Sequence, residues 1–332
     1  MEEVGSLQRD DPLYNWMVND VYPVIGLNIK NPEIKVYHVK ASHKVYLYET
    51  WKEGKSYRVI GKFYGNEPNA ERRFQLELDH YSELGKMGMV DGAYRISRLL
   101  GHNRDIDLVL VIEYASGRLL DSIILSAIYR GKRDRLHSAL SDLAYFLYLL
   151  HSRSVGSHKT DFNMEKHYFY ETIRKLQETT SLRDEEKTYF QRLVERWADR
   201  GEMWETPAVY VHGDCTPSNF SLSDNPRLIA FDLERCKWSD PVFDTGRVAG
   251  ELKHRFILET GDGDKAEPFI RHFYEDYCKH FNSPDLFMEI TARNPFYQAV
   301  TELRIAKNPW LNLEHRKRLI HEAKICLETG AH

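Results

Sequence analysis

Cysteine is scarce in this chain. Its 332 residues include only four, Cys215, Cys236, Cys278 and Cys326, with no CxxC pair and no metal-ligand spacing among them. That excludes a disulfide-stapled scaffold and reads as reduced thiols. Excess positive charge is missing as well. A formal net charge of −4 provides no global basic field for nucleic acid or an anionic membrane. Long apolar runs are absent, since LVLVIEY and LAYFLYLL fall far short of a membrane span. The opening MEEVGSLQRDD is acidic and lacks an apolar core, so no secretory leader is expected. Internal repeats and low-complexity tracts are not found. What remains is an ordinary globular composition, 42% hydrophobic and 29% charged, at a length suited to two domains. The chain reads as soluble and cytoplasmic.

The first part reads mostly as strands. Glu33 to Val39, Lys44 to Trp51, Ser56 to Tyr64 and Asp107 to Tyr114 are short segments rich in Val, Ile and Tyr. The EGK of Glu53 to Lys55 predicts a hairpin turn. One helix interrupts the strands, with the stripe Phe74, Leu78, Tyr81, Asn69 as candidate N-cap and Gly85 as its stop. After Gly117 long helical patterns take over: Leu119 to Arg130, Asp134 to His151, Asn163 to Glu178 and Asp184 to Arg200. Two strand-like runs follow, around VYVHGD and RLIAFDLE, and helical patterns fill Gly246 to the end. The boundaries predicted are 1–115 for a nucleotide-binding lobe and 116–332 for a helical lobe with the acceptor site.

The stretch VYVHGDCTPSNF carries the first chemistry. An apolar run stops at His212-Gly213-Asp214, and Asn219 follows five residues after the aspartate. A kinase catalytic loop has this interval, with the aspartate as base and the asparagine on magnesium. A polar turn would look the same, because Asx side chains are common turn formers. RLIAFDLE adds weight, as a second apolar strand ending in Asp232. Joined through SLSDNP, the two runs should form a hairpin-like pair with Asp232 near Asn219. A carboxylate and a carboxamide oxygen suit magnesium. Phosphoryl transfer of this kind also needs a lysine on a central strand and a glutamate on a helix. Lys62 within RVIGKFY supplies the first, because an unpaired ammonium there would be unfavourable. The helix offers Glu71 or Glu77. Glu77 is preferred, since it lies mid-helix beside the apolar stripe, whereas a first-turn acid such as Glu71 often only complements the helix dipole.

The set of Lys62, Glu77, VIEYASG, HGDCTPSN and FDLE resembles the aminoglycoside phosphotransferase and choline kinase family. The resemblance runs from about residue 30 to beyond residue 300. It implies an α+β, bilobal protein-kinase-like fold: a five-stranded antiparallel N-lobe sheet with one helix, and a larger, mainly helical C-lobe. It further implies ATP and magnesium as cofactors, Asp214 as catalytic base, and Asn219 and Asp232 as metal ligands, with Glu234 a further acid near metal or substrate. Lys62 would bind phosphate with Glu77 as its partner. Glu113 and Tyr114 would meet adenine through their backbone. Asp244 resembles the family's structural aspartate, within SDPVFD, and His212 a loop-ordering residue. Lys40-Ala41-Ser42-His43 stands where the family has a glycine- and serine-containing turn. It lacks the glycine, and Ser42 and His43 are the candidate phosphate contacts. No Ala-Pro-Glu signature follows Asp244, which argues for a small acceptor over a peptide.

The expectation is therefore a phosphotransferase acting on the hydroxyl of a small molecule: aminoglycoside, amino sugar, sugar or amino alcohol. The insertion from Lys166 to Arg200 helps shape acceptor sites in such enzymes, and its acids with Tyr168 and Tyr170 would suit a cationic acceptor. An inactive nucleotide-binding relative and a protein-serine kinase are the alternatives. Neither nucleic acid nor membrane is expected as a partner.

Overall fold

A computed structural model of the chain describes residues 2–39, 44–65, 68–179 and 182–330. The candidate phosphate contacts Ser42 and His43 lie outside the described residues. The protein is α+β and divides into two compact units. Residues Met1–Ser116 and Ile229–Glu234 form the first, Gly117–Leu228 and Arg235–His332 the second.

The first unit is built on β1 (Glu2–Ser6), α1 (Pro12–Trp16), β2 (Lys35–Val39), β3 (Lys44–Lys52), β4 (Lys55–Phe63), α2 (Ala70–Lys86), β5 (Tyr94–Ile96), β6 (Leu99–Asn103) and β7 (Val109–Glu113). Six of its strands form one sheet in the order β1-β2-β3-β4-β7-β6, and the pairs whose register is defined are antiparallel. The sheet thus has one strand more than expected, because β1 adds an edge that the sequence pattern did not signal. The hairpin of β3 and β4 closes at Lys52 opposite Lys55. Glu53 and Gly54 both take positive φ there, 52° and 77°, the primed turn that matches strand twist.

Strand periodicity assigns the faces. Val59 and Phe63 of β4, with Val109 and Val111 of β7, pack into a cluster with Tyr14, Met17, Val21 and Tyr22. Those last residues come from α1 and the helical turns that continue it to Ile25. This segment was not foreseen, since no turn of it is long enough to show a helical stripe. Leu110 packs instead with Tyr64 and Phe74 of α2. Asn69 stands at the N-cap of α2 in a left-handed conformation without a side-chain cap bond, and Gly85 lies inside the helix. Asn69 thus holds the expected cap position, while the helix runs past the expected stop at Gly85 to Lys86. The buried side of α2 is Phe74, Glu77, His80, Tyr81 and Leu84, so an acid is carried into the core.

The second unit contains β8 (Arg118–Leu119), α3 (Leu120–Arg130), α4 (Arg133–Arg153), α5 (Phe162–Thr179), α6 (Asp184–Ala198), α7 (Glu202–Glu205), β9 (Val209–Val211), β10 (Phe220–Leu222), β11 (Leu228–Ala230), β12 (Lys237–Ser239), α8 (Val242–Thr260), α9 (Glu267–Cys278), α10 (Leu286–Ala306) and α11 (Leu313–Thr329), with β11 running on into the first unit. Helix α8 is buried along nearly its whole length and packs against α10, while α4 packs against α9. β9 pairs with β12, Val211 opposite Lys237, and β10 pairs with β8, Ser221 opposite Leu119. The SLSDNP turn does close on itself, with Ser223 N donating to Arg227 O at 3.2 Å. Among the described residues, no helix is long and apolar enough to cross a membrane.

Candidate active site

In the first unit the chemistry centres on Lys62, in the middle of the sheet between β3 and β7, opposite Val45 and Leu110. Its Nζ donates to both carboxylate oxygens of Glu77 at 2.9 Å, to Asp232 Oδ1 at 3.3 Å and to Glu234 Oε1 at 3.2 Å. Lys62 is 5% and Glu77 1% exposed. Burial opposes the ammonium charge, yet Glu77, Asp232, Tyr64 and Glu234 outweigh it and raise the Lys62 pKa well above its ordinary value. The lysine is therefore a fixed cation. The Tyr64 hydroxyl also donates to Glu77, which leaves that carboxylate little freedom to turn away. Glu71 points elsewhere: it is exposed and pairs with Arg104. Glu234 is shared with Arg73 at 3.3 Å. Asp232 holds a left-handed backbone, φ 66°, which ends the strand sharply and turns the side chain toward Lys62.

Glu113, at the end of β7, is claimed by ion pairs. Arg95 binds both its oxygens at 2.5 and 2.8 Å, and Arg98 adds its backbone N–H at 3.2 Å and Nε at 3.3 Å. Burial alone would raise its pKa, but the two arginines hold it below the ordinary value. The Glu113 backbone N–H donates to Arg98 O at 2.9 Å, so that amide is committed within the sheet. Tyr114 lies under the Arg58 guanidinium at 5.6 Å.

In the second unit, the loop after β9 is organised by one buried carboxylate. Asp244, fully buried on α8, accepts from His212 N at 2.7 Å and Gly213 N at 2.9 Å. Its Oδ2 also lies 3.2 Å from His151 Nε2, while His151 Nδ1 bonds Tyr277 at 2.8 Å. Burial would raise the Asp244 pKa, but these partners lower it. Gly213 has φ 76°, and a Cβ there would stand 2.0 Å from the Arg235 carbonyl oxygen. Only glycine fits.

Asp214 follows at once. Thr216 Oγ1 donates to its Oδ1 at 2.8 Å. Arg247 donates to Asp214 Oδ1 at 3.0 Å and to Gly213 O at 2.6 Å. Arg235 Nε stands 3.5 Å from Oδ2. Burial raises the Asp214 pKa, but Arg247, Arg304 and Arg235 together push it far below the ordinary value. The surrounding cations thus favour the ionised carboxylate. Asn219 sits in a 3-10 turn, Pro217–Asn219. Its Nδ2 donates to Asp214 O at 3.0 Å, which leaves the carboxamide oxygen as the atom suited to a hard cation. Asn219 belongs to the second unit and Asp232 to the first. Among the described residues, no group of three His, Cys, Asp or Glu gathers as a metal site. Magnesium does not require one, since it is commonly held by one or two carboxylates plus substrate phosphates and water.

Sequence reasoning missed Arg235, Arg247, Glu251 and Arg304. Arg247 lies one helical turn past Asp244, a spacing that could have drawn notice. Arg304 reaches the same place from α10, which only tertiary structure reveals.

Residues 33–281 match the model of the phosphotransferase enzyme family. The ADP-bound aminoglycoside phosphotransferase APH(2'')-Ib is similar at TM-score 0.53 and 16% identity, over 94% of this chain and 98% of that one. Choline kinase LicA from Streptococcus pneumoniae gives 0.51 and 17%, over 89% and 93%. A Plasmodium vivax ethanolamine kinase gives 0.55 and 14%, over 96% and 87%. At these identities the likeness is one of fold, that of protein-kinase-like, small-molecule phosphotransferases. No curated protein sequence matches the chain.

Proposed function

Because this chain belongs to the phosphotransferase enzyme family, we propose that it moves the γ-phosphoryl group of ATP to a hydroxyl of a small cytoplasmic molecule. The observation that carries this reading is the buried Lys62–Glu77 pair with Asp232 at 3.3 Å. A fixed ammonium beside a carboxylate is what nucleotide phosphates with a divalent cation require.

Lys62 binds the phosphates, and Glu77 with Tyr64 keeps its ammonium aimed. Asn219, through its carboxamide oxygen, and Asp232 hold magnesium, with Glu234 as a further acid beside them. Bound there, the metal neutralises phosphate charge. Adenine is met by the chain at Glu113 and Tyr114, using groups other than the committed Glu113 amide. Asp214 orients the acceptor hydroxyl. The acceptor oxygen forms its bond to the γ-phosphorus, the bond from that phosphorus to the β–γ bridging oxygen breaks, and the hydroxyl proton passes to Asp214. A carboxylate held this acidic is a weak base, which suits a loose transition state where the proton moves late and positioning dominates.

The test uses the full chain with Mg·ATP and a panel of small alcohols, reading ADP release above the acceptor-free blank. Asp214→Ala should lose transfer by about 10²–10⁴-fold while ADP still raises the melting temperature. Asp232→Ala should lose the magnesium dependence of ATP binding. Nucleotide binding without turnover on any acceptor would replace this reading with the inactive relative.

A further inference from the structure

We infer that the acceptor is an anionic alcohol: a small hydroxylated molecule bearing a carboxylate or a phosphate, recognised by Arg235, Arg304 and Lys307 around Asp214. The inference rests on the kinase reading for which hydroxyl reacts, and on the second unit's own geometry for the charge.

The surroundings of Asp214 are cationic. Arg247 and Arg235 approach its two oxygens at 3.0 and 3.5 Å. Thr216, bonded to Asp214, lies 3.5 Å from Glu251 Oε1, and Glu251 pairs with Arg304. One helical turn beyond Arg304, Lys307 closes the C-terminal end of α10. From α5, Tyr168 stands 6.4 Å from the Phe243 ring, over which the Arg247 guanidinium lies at 5.0 Å. Four cations therefore face two carboxylates.

The unmet hydrogen-bonding capacity has one sense. Arg247 Nε, Arg304 Nε and the Tyr168 hydroxyl are buried without a hydrogen-bond partner among the described residues. Arg247 is only 2% exposed. Buried donors on charged groups are costly unless acceptor atoms reach them. Carboxylate and phosphate oxygens are the acceptors that guanidinium groups match. The local potential agrees. Burial would raise the Tyr168 pKa, but Arg247, Arg304, Lys307 and Arg235 bring it below the ordinary value. Lys307 is lowered by burial and by the like charges of Lys175, Arg304 and Arg235.

A cationic acceptor would need free acids here, and three acids of α5 and α6 are engaged. Glu165 binds Lys237 at 2.7 Å, Glu195 binds Lys166 at 2.7 Å, and Glu171 binds Arg174 at 2.8 Å. The cationic acceptor suggested by the sequence thus meets a field of the wrong sign.

The test has two arms on the full chain. In the first, calorimetric titration with glycerate and gluconate, and separately with glucose 6-phosphate and glycerol 3-phosphate, separates carboxylate from phosphate recognition. At least one pair should bind. The Arg235→Ala/Lys307→Ala double variant should weaken that binding tenfold or more, while ADP affinity stays unchanged and melting shows the variant folded. No anion binding, or binding equal in both proteins, overturns the inference whether or not the chain is a kinase. So does a double variant that loses ADP affinity instead, since the cations would then serve the nucleotide. In the second arm, Mg·ATP turnover is compared on those anions, on choline and kanamycin, and on glucose. Transfer to a cation or neutral sugar alone sinks the anionic acceptor and keeps the kinase. Anion binding without any transfer keeps the anion site and sinks the kinase.

Discussion

Replacing Asp244 with alanine removes one carboxylate and strands the groups that it holds in the loop after β9. His212 N and Gly213 N lose acceptors at 2.7 and 2.9 Å, and His151 Nε2 loses its contact at 3.2 Å. All lie in a region where Asp244 itself is fully buried, so water does not replace the lost partner. Each buried unsatisfied donor costs about 1–3 kcal/mol, and a broken buried charged contact about 3–5 kcal/mol. The expected loss is about 3–5 kcal/mol, or ~6–20 °C in melting temperature at the ~2–4 °C per kcal/mol usual for a unit of this size. Asp244→Asn keeps the shape and one acceptor oxygen, and should lose only about 1–3 kcal/mol. Because partners lower the folded-state pKa of Asp244, its contribution is present above the unfolded carboxylate value and fades as pH falls through and below it. The gap between wild type and Asp244→Asn should therefore narrow below pH ~4. Scanning calorimetry across pH reads both effects, and turnover of the Asn variant reports the loop. An alanine variant melting within ~2 °C of wild type would refute the assignment of Asp244 as the loop's anchor.

Lys62→Met should abolish turnover and leave Glu77 buried without its cation, at a cost of about 3–5 kcal/mol. Adding Glu77→Gln should restore much of that stability in a denaturant titration without restoring activity; additive losses would count against the pair. Gly213→Ala should cost about 1–3 kcal/mol from its positive φ and the 2.0 Å approach to the Arg235 carbonyl. Gly201→Ala, with open space around it, is the near-neutral control for the same melting measurement. Arg247→Ala removes the first of the cations holding the Asp214 pKa down. The acid limb of the kcat/KM profile should then move to higher pH, and an unmoved limb would separate Asp214 from the titrating step.

The parts of this molecule that show in its sequence are those where a charge interrupts a strong local pattern. Lys62 stands out because it breaks an apolar strand, and Glu77 because it lies mid-helix beside Phe74 and Leu78; the structure brings the two together at 2.9 Å. Fold class is legible for a similar reason, since period-two segments give way to helical ones near Gly117. The helical turns from Pro12 to Ile25 are not, because pieces of five and four residues are shaped by the sheet they cover. The partner of Val209–Val211, Lys237–Ser239, was not foreseen; three-residue strands carry too little pattern to select a neighbour. Arg304 is invisible in sequence because its meaning depends on α10 packing against α8.

The two units carry opposite local charge, and that contrast bears on what each binds. Around Lys62 three carboxylates, Glu77, Asp232 and Glu234, meet two cations, Lys62 and Arg73. A polyanionic nucleotide cannot settle against such a surplus of negative charge unless a further cation comes with it, which is an electrostatic argument for magnesium drawn from these residues alone. Around Asp214 the imbalance reverses, with Arg235, Arg247, Arg304 and Lys307 set against Asp214 and Glu251. A guanidinium surplus of this kind lowers the basicity of Asp214 and would repel choline or an aminoglycoside. Retaining it is reasonable only if an anion completes the site, with orientation of the hydroxyl gained in exchange for base strength.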